Sequence, residues 1–243
     1  MMITTDVTVR DVATEFPQST RLFEQLKIDY CCGGNQRIAE ACALAGVDVD
    51  QLMQMLAPLT QSNPTGDDAS TFQNISLAEL VTHIVDTHHV FTNSEIDRLQ
   101  TLAAKVLAAH GGNHPELVTL NELVTRLAAE LKPHMFKEEQ ILFPYIVNIE
   151  EAANGKRSVP FAPFGTVNNP IRMMMMEHDA AGTILRELRA LTSDYKVPAD
   201  ACISYQTLYQ ALDELEKDLH QHIHLENNIL FPKAQDLEKA LDR

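Results

Sequence analysis

Apolar positions recur at steps of three and four along most of the chain and almost nowhere alternate, so the pattern predicts helices without a sheet. Beyond residue 72 the recurrence is long. It predicts four segments, 76–110, 115–149, 170–193 and 201–240. The first opens at Ser76 with Glu79 three residues on, a capping-box pattern, and closes at the paired glycines of HGGN. The second and third open on Pro115 and Pro170, and a loop rich in Gly, Pro and Asn, about 151–169, separates them. Four long amphipathic helices predict an all-α four-helix bundle.

The first 58 residues predict shorter helices. Val12, Phe16, Leu22, Phe23 and Leu26 fit one stripe, IAEACALAGV and DVDQLMQML give two more helices, and IDYCCGGN supplies a glycine turn between them. Residues 57–71, APLTQSNPTGDDAST, have linker composition. The expected organisation is a small helical Cys-Cys domain, 1–58, a linker, 59–71, and the bundle, 72–243.

The apolar stripes of the bundle are interrupted by polar residues on their core-facing side. One runs Leu120, Leu123, Leu127, Leu131, His134, Glu138, Ile141; another runs Leu212, Leu215, Leu219, His222, Glu226, Ile229. The two interruptions share one frame, H-x-x-x-E-x-x-I-L-F-P, as HMFKEEQILFP and HIHLENNILFP, with His134 and His222 88 residues apart. Residues four apart stack about 6 Å along a helix axis, so each helix aims an imidazole and a carboxylate at the bundle centre. The remaining stripes are Val85, His89, Thr92, Ile96, Leu99 and Ile171, Met174, His178, Gly182, Leu185, which bring His89 and His178 to matching places 89 residues apart. Nearly equal offsets suggest an internally duplicated bundle. Periodicity alone barely separates His89 from its neighbour His88.

Two unpaired buried carboxylates would cost several kcal/mol each, and no Lys or Arg occupies these stripes. A pair of metal ions would neutralise them, with the glutamates bridging and two histidines capping each ion. Imidazole and carboxylate without thiolate favour iron, with manganese and zinc as alternatives. His83, His88, His110, His114, His220 and His224 read as surface or hydrogen-bonded core histidines, and the Met173–Met176 run reads as core filling.

Composition narrows the function. A net charge of −15, from 34 acidic and 19 basic residues, argues against nucleic acid or an anionic membrane as partner. MMITTDVTVRDV has neither the basic nor the apolar region of a secretion signal, and no apolar run approaches a membrane span. Four cysteines, two of them adjacent, do not make a disulfide framework, so a reducing cytoplasmic setting is expected. Cys31 and Cys32, at a glycine turn, are candidates for thiol redox chemistry or iron handling; Cys42 and Cys202 lie in helical patterns. Glu130, one turn before His134, and Glu177, beside His178, are candidates to support the ligands.

The order of these motifs resembles the Repair of Iron Centres proteins, a bacterial di-iron, hemerythrin-like family, along nearly the whole chain. PQSTRLF followed by IDYCCGG matches that family's small leading domain; HHVF, HMFKEEQILFP, GTVNNPI, MEHD and HIHLENNILFP match its bundle. The resemblance implies His89, His134, Glu138, His178, His222 and Glu226 as ligands of two iron ions in an oxo- and carboxylate-bridged centre, and it selects His89 over His88. Ordinary hemerythrins use a further histidine and carboxylate where this chain has Gly182 and Asn227. The difference implies a looser, more open site. Pro133, directly before a ligand, is expected to bend its helix.

The resemblance further implies repair of iron–sulfur clusters damaged by nitrosative or oxidative stress, by supplying iron to damaged or apo iron–sulfur proteins. The rival readings are a di-iron nitric oxide or peroxide reductase and an O₂ or NO sensor. A homodimer is left open.

Overall fold

The computed structural model describes residues 3–61 and 71–241. The chain divides into two compact units: Met1–Val81 with Ile149–Val159 and His220–Arg243, and Thr82–Asn148 with Pro160–Leu219. Among the described residues the regular structure is helical, with one isolated bridge, Thr8 to Arg37. No described helix is long and apolar enough to cross a membrane.

In the first unit, α1 (Val9–Glu15), α2 (Ser19–Leu26), α3 (Ile38–Ala45) and α4 (Val49–Gln61) surround a core of Val9, Val12, Phe23, Ile38, Leu52 and Leu56. Val12 to Leu26, expected on one stripe, falls on two helices. Pro17 disfavours helical geometry at Phe16, which takes φ −127° and ψ 73° and ends α1. Thr8 caps α1, its Oγ1 accepting from Asp11 N at 3.1 Å. Gly46, at φ 69°, ends α3 in the left-handed region glycine tolerates. α4 continues through Pro58 to Gln61, into the stretch with linker composition. The rest of that expected linker, 62–70, lies outside the described residues.

The same unit holds α5 (Thr71–Asn74) and most of α6 (Leu77–His83). The expected capping box is present, with Glu79 N donating to Ser76 Oγ at 3.1 Å and Ser76 N donating to Glu79 Oε2 at 2.9 Å. The carboxylate of Glu150 also accepts from Leu77 N and Ala78 N, at 2.6 and 3.0 Å, so negative charge sits where the first amides lack helical partners.

The second unit is built on α7 (Val90–His110), α8 (Glu116–Lys137), α10 (Asn168–Leu191) and most of α11 (Ile203–Leu225). Their inward stripes form one core, including Ile96, Leu99, Leu120, Leu127, Ile184, Leu188, Leu208 and Leu215. α8 runs unbroken past Pro133, so the bend expected there does not interrupt the helix.

The departure from α geometry comes later, as π turns: π1 (Ile84–His89), π2 (Glu138–Leu142), which leads into α9 (Phe143–Ala153), and π3 (Glu226–Leu230), which leads into α12 (Phe231–Leu241). Each wide turn shifts the register of the faces beyond it. Ile141, expected inside, is 48% exposed while Leu142 is buried; Ile84 is buried where Val85 was expected. The Met173–Met176 run also departs from expectation, because only Met174 is buried and Met173, Met175 and Met176 face solvent.

Candidate metal centre

Both copies of the H-x-x-x-E-x-x-I-L-F-P frame fold alike. Phe143 N donates to Glu138 O and Phe231 N to Glu226 O, each reaching back five residues instead of four. The next residues, Pro144 and Pro232, have no N–H to continue an α ladder, so the wide turn closes just before each proline. Each π turn therefore starts on a glutamate one helical turn beyond a histidine. The histidine helices are not duplicated as closely, since His89 closes π1 while His178 lies on the regular helix α10.

The six expected ligand residues are all buried, Glu138 and Glu226 completely so. His89 Nε2 and His134 Nε2 approach Glu138 Oε2 at 3.5 and 3.3 Å. His178 Nε2 lies 3.0 Å from His134 Nε2, and His222 Nε2 lies 3.0 Å from Glu226 Oε1. Single ligand atoms from His89, Glu138, His222 and Glu226 lie within 4.8 Å of one another, as do those from His134, Glu138, His178 and Glu226. The two glutamates are common to both groups.

Such a donor set fits cations. Both oxygens of Glu138 are buried and neither accepts a hydrogen bond, while the imidazole nitrogens of His89 and His134 approach one of them. His134 donates Nδ1–H to Glu177, so in the neutral ring the lone pair is at Nε2, facing a second ring nitrogen. Nitrogen and oxygen lone pairs converging in a dry volume suit a metal ion.

A family model described as the hemerythrin HHE cation binding domain matches residues 80–234. The chain belongs to the hemerythrin HHE cation-binding family. A second family model, described as a domain of unknown function, matches residues 5–60. The hemerythrin-type chain is 34% identical over 224 residues to the probable iron–sulfur cluster repair protein of Haemophilus influenzae, covering 92% of this chain and 94% of the relative. It is also 34% identical over 229 residues to the iron–sulfur cluster repair protein YtfE of Dickeya chrysanthemi, covering 94% and 96%. YtfE of Escherichia coli O81 is 35% identical over the same shares. The resemblance carried by the sequence motifs thus holds over both parts of the chain.

Around these six residues of the hemerythrin-type chain, carboxylates hold the far nitrogens of two rings. Glu177 Oε2 accepts from His134 Nδ1 at 2.8 Å, and its other oxygen pairs with Lys137. Burial opposes ionisation of Glu177, but the hydrogen bonds from Lys137 and His134 outweigh it and hold its carboxyl below the usual range. Glu139 Oε1 accepts from His89 Nδ1 at 2.8 Å. Sequence reasoning missed Glu139; on a regular helix it would turn away from Glu138, and the adjacent glutamates were the only signal. Glu130 is exposed on α8. His88, beside the candidate ligand His89, is also buried and its Nδ1 lies 2.9 Å from Asp218 Oδ1. A Cβ on Gly182 would meet only Arg186 Nη1, at 3.5 Å, so packing does not require glycine there.

Cys31 and Cys32 are not joined in a disulfide, and their sulfurs lie 3.9 Å apart. Asp29 Oδ1 gathers the turn by accepting from Cys31 N, Cys32 N and the Cys31 thiol at 3.1, 3.0 and 3.3 Å. The neighbouring Cys32 thiol, burial and the Asp29 charge all push the Cys31 thiol well up, so it stays protonated at neutral pH. In the same unit Asn228, on π3, donates to Tyr30 O at 3.0 Å, which ties the cysteine turn to the turn that Glu226 begins.

Proposed function

We propose that this protein restores damaged iron–sulfur clusters, holding two iron ions on its six-residue centre and releasing iron to the damaged cluster. One ion would take His89 and His222, the other His134 and His178, with Glu138 and Glu226 bridging. The observation that carries this reading is that two four-residue groups share both glutamates, in a chain resembling repair proteins over more than nine-tenths of its length. When bound, the iron pair supplies Lewis acidity and one-electron redox chemistry.

The chain's own residues then decide how iron is kept and lost. Four neutral imidazoles contribute no charge, so Glu138 and Glu226 supply the negative charge that retains it. Protonation of either glutamate would remove half of that charge. Gly182 and Asn227, in place of further ligands, leave the set at six residues, a composition suited to release. The Cys31–Cys32 turn, tied through Tyr30 and Asn228 to the Glu226 turn, offers two sulfurs that would accept departing iron on releasing their protons.

The test is transfer. Protein loaded with labelled iron is mixed anaerobically with an apo iron–sulfur protein, and label is followed into the re-formed cluster. Transfer from wild type, and none from Glu138→Ala, is the expected result. Label that stays on the loaded protein while free iron rebuilds the cluster would refute donation.

A further inference from the structure

Glu138 and Glu139 are consecutive, yet they approach the same imidazole from opposite sides. Glu138 Oε2 lies 3.5 Å from His89 Nε2, and Glu139 Oε1 lies 2.8 Å from His89 Nδ1. On an ordinary helix neighbouring side chains diverge by about 100°. Both residues here lie at the start of π2, and His89 closes π1, so two wide turns bring the clamp together. Phe143, directly after π2, stacks on the His89 ring at 5.7 Å and 24° and fixes its plane. A carboxylate can only accept at Nδ1. That nitrogen must therefore carry the hydrogen, which in the neutral ring leaves the lone pair on Nε2.

We propose that Glu139 is the positioning residue for His89, setting its tautomer, aiming Nε2 toward Glu138 and strengthening it as a ligand, so that Glu139 governs how firmly iron is kept. The proposal rests on the metal reading above. Glu177 makes the corresponding contact to His134, but it shares its charge with Lys137. Among the described residues Glu139 pairs only with His89, so its charge acts on that ring undivided. Partners of this kind set ligand orientation and basicity in metal sites, and removing one costs about 10- to 100-fold in affinity.

The experiment uses the full chain loaded anaerobically with ferrous iron, as wild type, Glu139→Ala, Glu139→Gln and an exposed control, Glu122→Ala. Iron per chain and the rate of loss to excess chelator are measured, with ¹⁵N-histidine spectra of the metal-free proteins. Glu139→Ala should lose iron about 10- to 100-fold faster, and the His89 Nδ1–H signal should disappear. Glu139→Gln keeps an acceptor without the charge and should fall between, while Glu122→Ala matches wild type. A merely structural role would lower the melting temperature and leave the tautomer unchanged. Iron release from Glu139→Ala at the wild-type rate, or faster release with the His89 tautomer intact, would overturn the assignment. If the alanine variant does not fold, release from Glu139→Gln decides in the same way. Wild type that takes up no iron removes the metal reading, and this proposal with it.

Discussion

Glu138→Gln should stabilise the metal-free protein and abolish its response to iron. The wild-type carboxylate is completely buried, and neither oxygen accepts a hydrogen bond. Glutamine keeps the shape, drops the charge and offers an N–H to the ring nitrogens that lie 3.3 and 3.5 Å from Glu138 Oε2. Relieving a buried polar group that lacks a partner is worth about 1–3 kcal/mol, and more for a charged one. In a chain of this size each kcal/mol moves the melting temperature by about 2–4 °C. Iron acts in the opposite direction: a ligand at 100 times its Kd adds about 2.7 kcal/mol to the native state, and in the proposed centre that gain needs the Glu138 carboxylate. The assay is urea or thermal unfolding of both proteins, metal-free and iron-loaded under anaerobic conditions. The reasoning fails if metal-free Glu138→Gln unfolds at or below wild type, or if iron stabilises both equally.

Arg189 makes three hydrogen bonds to the buried carboxylate of Glu216, at 2.9–3.1 Å, so Arg189→Met should cost about 3–5 kcal/mol in chemical denaturation by removing the cation that offsets that charge. Leu215→Ala, at a fully buried position in the bundle core, should cost about 2–5 kcal/mol while leaving iron per chain unchanged. His114 gives a pH test. Glu116 and Asp200 accept from its two ring nitrogens and raise its pKa. Its contribution is therefore complete below the unfolded value of about 6.5 and is lost as pH rises through the higher folded value. His114→Gln should flatten the fall in stability over that window, and an unchanged pH profile would contradict the assignment.

The helices and their inward faces were legible because apolar spacing dominates in both parts of the chain. The six ligand-type residues were legible for the same reason, since they break a core stripe with polar groups. What periodicity could not show was the change of period. A stripe extrapolated at steps of three and four puts Ile141 inside and leaves Glu139 pointing away from His89. The π turn before Pro144 instead buries Leu142, exposes Ile141 and brings Glu139 onto His89. A similar turn at Ile84–His89 buries both His88 and His89, which is why spacing alone could not choose between them. The repeated proline after Ile-Leu-Phe was the visible trace of two of these turns. The methionine run misled for a different reason: hydrophobicity was read as burial, although of the four only Met174 faces the core.

The most direct measurement is anaerobic iron quantitation with Mössbauer spectra on wild type and on Glu138→Ala and Glu226→Ala. Two irons per wild-type chain, magnetically coupled and lost from both variants, are predicted. A single uncoupled iron, or full iron content in either variant, would contradict a centre bridged by the two glutamates.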